Sequence, residues 1–208
     1  MSDIHIILFI ITSLVVIITP GQDMVLVLSR GITQGSKAGV ITAAGVSLGL
    51  LGHTLLTSFG LGAFLMASDV FFTVLKYIGA LYLVYLGVQL ITSKCHKIEV
   101  KQLSNQSVKQ TFTTGALSNI SNPKVTIFYF AYLPQFIPSN VNEPAYYLFI
   151  LGVSFALLTF LVKGSVGYLA GKFSVWITSR PTILKLIDRT SGTILIGLGV
   201  KLALEERV

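Results

Sequence analysis

Six long apolar runs, separated by short polar gaps that collect more than half of the Lys and Arg, constrain this chain more than any other feature. A helix rising ~1.5 Å per residue needs about 20 apolar residues to cross ~30 Å of hydrocarbon. The runs cover 4–29 (interrupted near Pro20), 38–66, 70–92, 112–136 (interrupted near Pro123), 145–170 and 182–204. With 53% hydrophobic and 11% charged residues and a mean hydropathy of +0.80, the chain carries far less charge than a soluble domain. Lipid is therefore the expected solvent. The sequence predicts an all-α integral membrane protein of six transmembrane helices, with helices 1 and 4 broken.

The net charge of +7 does not imply nucleic acid, because the basic residues lie between apolar runs rather than on one soluble face. Arg30 and Lys37 fall in the first connection. Lys94, Lys97, Lys101 and Lys109 fall in the third, and Lys172 and Arg180 in the fifth. The second and fourth connections hold only Asp69 and Glu143. The positive-inside rule puts the odd connections in the cytoplasm and both termini outside. Lys201 and Arg207 oppose this weakly, and Glu205 and Glu206 offset them. Asp3 ahead of the first run, and the absence of a small-residue cleavage site, make that run a retained span rather than a signal peptide. The lone Cys95 excludes a thiol relay, and His5, His53 and His96 are too scattered for a metal cluster. No phosphate-binding loop is present, so ATP hydrolysis is not expected.

The whole chain reads as one transmembrane domain with an internal repeat. Residues 45–51, GVSLGLL, resemble 152–158, GVSFALL; LGVQL at 86–90 resembles LGVKL at 198–202; Thr19-Pro20 corresponds to Asn122-Pro123. The order is kept throughout. Repeat 1 spans about 1–92 and repeat 2 about 112–208, with a basic cytoplasmic linker at 93–111. Three spans per unit force the second unit to cross in the opposite sense. Such inverted repeats recur in secondary transporters, with the substrate site near the midplane where broken helices meet.

At each break, Thr19 or Asn122 is positioned as an N-cap and Pro20 or Pro123 as the first residue of a new half-helix. The freed N–H groups then point a positive dipole end inward, ready for a carboxylate. Gly21, Gln22 and Asp23 follow the first proline and Lys124 the second. Ionisable residues inside spans are costly and usually functional. A zwitterion can place its ammonium at Asp23 and its carboxylate at Lys124 or a half-helix N-terminus. A structural Asp23–Lys124 pair is the competing reading. His53, mid-span, is a proton-relay candidate alongside Asp23, or a helix-to-helix hydrogen bond. Gln22, Asn119, Ser121 and Gln135 offer further hydrogen bonds. Tyr82 and Tyr85 line a cavity or face lipid, and the glycines of span two permit close packing. Lys163 and the Asp188–Arg189 pair read as snorkelling or locally paired groups toward the cytoplasmic ends.

TPGQD at 19–23, LVLSRGITQGSKAG at 26–39, KYIGALYLVYLGVQL at 76–90 and SNPKVTIFYFAYLPQF at 121–136 together resemble the LysE/RhtB family of bacterial amino-acid exporters. The resemblance covers essentially the whole chain. It departs at Gln22, where the family commonly has a second proline. The resemblance implies proton-coupled efflux of amino acids or related metabolites across a bacterial inner membrane, and a homodimer; the residues show no nucleophile–base pair or metal cluster, so neither enzymatic activity nor a cofactor is expected. The helix-break chemistry above makes Thr19, Pro20, Gly21, Gln22, Asp23, Asn119, Asn122, Pro123 and Lys124 the expected substrate contacts. A cation or metal exporter is the alternative, for which Asp23 and His53 are a poor ligand set; a passive channel is another.

Overall fold

The computed structural model describes residues 3–61, 69–92, 106–137, 141, 143–172 and 181–204. Among them the chain forms eight α-helices and no strand. These are α1 (Asp3–Ile18), α2 (Gln22–Gln34), α3 (Ser36–Leu56), α4 (Asp69–Thr92), α5 (Val108–Ile120), α6 (Pro123–Ile127), α7 (Pro144–Lys172) and α8 (Pro181–Leu204). A π-helical turn, Thr57–Leu61, extends α3; a π turn, Phe128–Tyr132, and a 3-10 turn, Leu133–Phe136, extend α6. Most of the expected basic linker (93–105), Cys95, His96, Arg180 and the C-terminal charges lie outside the described residues.

Helix α3, with its π extension, α4 and α7 are each long and apolar enough to cross a membrane. Helices α1 and α2 meet that measure as a pair bent by 57°. The sorting of side chains agrees with lipid as solvent. Phe59 is 79% exposed and Leu81 71%, whereas Asp23, Arg30, His53, Asn119, Lys163 and Asp188 are buried. Threonines at 12, 42, 54 and 57 return their hydroxyls to the carbonyl four residues back, the nearest acceptor where water is absent.

Both interruptions anticipated from proline are present. The first connection is far tighter than the charge pattern suggested. Gly35 alone separates α2 from α3, with φ +88, a conformation a Cβ disfavours. Arg30, read as a loop charge, is instead buried within α2.

Small residues set the helix spacing. Helix α3 lies between α5 and α7, and α2 packs on α3 and α7. A Cβ at Gly39 would stand 2.6 Å from the Gly167 carbonyl, and one at Gly49 2.8 Å from Asn119 Cβ. Helices α4 and α8 pair antiparallel, with Gly87 against Gly192 and Gly199 against Ala80. An aromatic core, including Phe128 stacked on Phe155 at 4.6 Å and Phe9 edge-on to Phe136, fills the space between α1, α7 and the extension of α6.

Candidate functional site at the helix breaks

The two breaks are built differently. At the second, Asn122 is the N-cap of α6: its Oδ1 accepts from the Lys124 N–H at 3.1 Å, and Pro123 is the first helical residue, as anticipated. At the first, Thr19 does not cap α2. Its hydroxyl donates back to the Val15 carbonyl, and α2 begins at Gln22 behind an extended Gly21 with no side-chain cap. A threonine hydroxyl closes this local bond most readily when no water competes. Pro20 therefore lies in the link, not at the first position of the helix.

Each proline also removes the donor that would have served the carbonyl four residues earlier. For Pro20 that carbonyl belongs to Val16, and Lys124 Nζ reaches it at 2.9 Å while also donating to the Thr19 carbonyl at 3.3 Å. The ammonium thus neutralises the negative end of α1. For Pro123 the carbonyl is that of Asn119. It accepts the turn N–H of Asn122 at 3.0 Å and lies 3.4 Å from His53 Nε2. A cationic or protonatable side chain from each half of the chain therefore meets the carbonyl freed in the other half.

Asp23, in the first turn of α2, is the centre of the polar cluster and only 1% exposed. Its Oδ2 accepts from Asn119 Nδ2 at 2.7 Å and pairs with Lys163 Nζ at 3.4 Å; its Oδ1 accepts from Ser118 Oγ at 3.3 Å. In place of the Asp23–Lys124 pair weighed as the competing reading, Asp23 pairs with Lys163. Lys163 does not snorkel: it is buried nine residues before the end of α7, about 14 Å by helical rise, with its amine turned to Asp23. The α2 N-terminus, proposed as a carboxylate site, already has Asp23 as its own anion.

A narrow cavity opens on this cluster. Thr19, Gly21, Asp23, Asn119, Asn122 and Lys124 border it, together with Lys163, Thr159, Leu50 and Phe155. Pro20, Gln22 and Pro123 are not among its walls; Gln22 is exposed and donates to the Ser118 carbonyl at 3.5 Å. His53 lies behind Asn119, tilted against Tyr129 at 5.6 Å. Its Nδ1 is buried and unpartnered among the described residues.

A family model described as LysE type translocator matches residues 14–206. The chain belongs to this family. A Bacillus subtilis relative named uncharacterized membrane protein YrhP is 32% identical, over 90% of this chain and 93% of its own. A homoserine/homoserine lactone efflux protein of Salmonella typhimurium is 31% identical over 94% of each chain. A leucine efflux protein of Klebsiella pneumoniae is 27% identical over 94% of this chain and 92% of its own. No solved structure matches.

Lys163, Ser118 and Thr159 of this LysE type translocator were not singled out as site residues from the sequence. The signal available for Lys163 was its depth in a 29-residue apolar helix, with Thr159 one turn away on the same face.

Proposed function

We propose that this translocator is a secondary active exporter of amino acids or related small polar metabolites. The observation that carries the reading is the buried Asp23–Lys163 pair, held by Asn119 beside a cavity where two helices break. A zwitterion inserted into this pair gives two ion pairs, its ammonium on Asp23 and its carboxylate on Lys163 or Lys124. The total charge of the site is unchanged, so the desolvation penalty of an isolated ion is avoided. The amino-acid efflux names of relatives agree with this cargo.

The reading extends to proton coupling, through Asp23 or His53. Protonated Asp23 no longer attracts a substrate ammonium, and Asn119 links the carboxylate to His53 through its amide and its carbonyl. It extends also to six spans in an inverted repeat. Both proline-freed carbonyls are met from the opposite half, and the repeat-related Gly87 and Gly199 each face a small residue of the partner helix. Efflux from loaded proteoliposomes, across a panel of amino acids with and without a pH gradient, tests the function. Saturable export that is faster with an inward proton gradient is expected; no movement of any amino acid under any gradient sinks it.

The proposed orientation, in the inner membrane with both termini outside, makes a separate prediction. Cys95, the one cysteine, should react with a membrane-impermeant maleimide in inside-out vesicles and not in intact spheroplasts. The reverse pattern overturns the topology.

A further inference from the structure

The buried threonines at 12, 42, 54 and 57 close their hydroxyls onto the preceding turn, and Thr159 in α7 does not. It is 1% exposed, its Oγ1 has no hydrogen-bond partner among the described residues, and it is a wall of the cavity beside Asp23. A hydroxyl inside a helix has the carbonyl four residues back as its ready acceptor. Leaving a buried hydroxyl unpaired is costly, so this orientation calls for a partner that enters from the cavity. Lys163 stands one turn further along the same face and also has donors to spare. Among the described residues its ammonium, with three N–H groups, donates to Asp23 Oδ2 at 3.4 Å, the longest of the contacts to that carboxylate. Lys124 is held more firmly, by the Val16 and Thr19 carbonyls, and withdrawing it would strip both of this donor at the α1 break.

Resting on the amino-acid reading above, we infer that Thr159 and Lys163 together form the carboxylate clamp of the site, so that the chain selects substrates with a free α-carboxylate over the corresponding amides. Side chains one helical turn apart have Cβ atoms about 5–6 Å from each other. The oxygens of one carboxylate can therefore take the Thr159 hydroxyl and the Lys163 ammonium, one each. The substrate ammonium takes the place that Lys163 gives up on Asp23, which Asn119 and Ser118 continue to hold. In the arrangement described the cavity has room for about one or two waters, so water serves the hydroxyl until the walls part. Both donors of the clamp then move as one body, because both belong to α7. A carboxamide keeps an acceptor for Thr159 but brings no charge for Lys163, which would be left buried without a counter-ion.

Counterflow by the full chain in proteoliposomes, with the common amino acids and the α-amides of those transported, tests the clamp alongside amino-acid-induced thermal stabilisation in detergent. Each acid is expected to exceed its amide by at least about tenfold in kcat/KM. Thr159→Val, which keeps the shape and removes the hydroxyl, should raise KM about tenfold with kcat little changed. Stabilisation by the amino acid should weaken in step. The substrate-free variant should melt at the wild-type temperature or above it, since an unpaired buried hydroxyl has gone. Thr159→Ser, which returns the hydroxyl, should recover most of the affinity. An unchanged KM in Thr159→Val, a lower melting temperature of that variant without substrate, or amides transported as well as acids overturns the clamp and leaves the exporter reading standing. Neither transport nor stabilisation by any amino acid sinks that reading, and the clamp with it.

Discussion

Asp23→Asn is expected to abolish export while the protein still inserts. The carboxylate accepts from Asn119, Ser118 and Lys163 and is buried. Asparagine keeps the shape and one acceptor but removes the charge that an ammonium needs. Truncating one partner of a buried, hydrogen-bonded charge pair removes about 2–5 kcal/mol of binding. Even the lower bound is roughly a 30-fold loss, and proteoliposome efflux should fall by at least that. Part of any loss is structural, because Lys163 is left buried without its counter-ion, at about 3–5 kcal/mol. The double variant Asp23→Asn/Lys163→Leu separates the two effects. It should regain most of the thermal stability and none of the transport. Export by the double variant at near wild-type rate would reduce the pair to scaffolding.

The second large effect concerns three glycines on one helix. A methyl group at Gly45 would collide with the carbonyl oxygen of Phe112, and one at Gly49 would stand 2.8 Å from Asn119 Cβ and Oδ1. At Gly52 it would meet nothing within 4 Å. Overpacking a close interface costs about 1–3 kcal/mol, and at Gly45 the obstacle is main chain that cannot rotate away. Gly45→Ala is therefore expected to lower the Tm most and to force α5 away from α3. Gly49→Ala should act more locally, displacing Asn119 from Asp23, so that transport falls about tenfold or more for a modest loss of stability. Gly52→Ala should be neutral or slightly stabilising, since alanine is the better helix former. Equal behaviour of the three variants in melting and efflux assays would mean that α3 and α5 do not approach as described.

The amino-acid sequence alone determined that lipid is the solvent, because so few charges are spread over such long apolar runs. It also determined where the helices break, because a proline inside a run removes a main-chain donor wherever it stands. The Asn122 cap followed from the same local chemistry. Threonine at the other break did not behave like asparagine. Its hydroxyl bonds within the preceding turn, a choice that depends on the absence of water at that depth.

Pairing was decided by tertiary structure. Asp23, Lys124 and Lys163 were all visible as charges in apolar runs, and chain proximity to a break favoured Lys124 as the partner. In the fold Lys124 serves the carbonyls freed by Pro20, and Lys163, 140 residues from Asp23 in the chain, serves the carboxylate. Helical periodicity fixes which residues share a face of one helix. It leaves open how neighbouring helices are rotated and offset, and that is set by where small residues let their backbones meet.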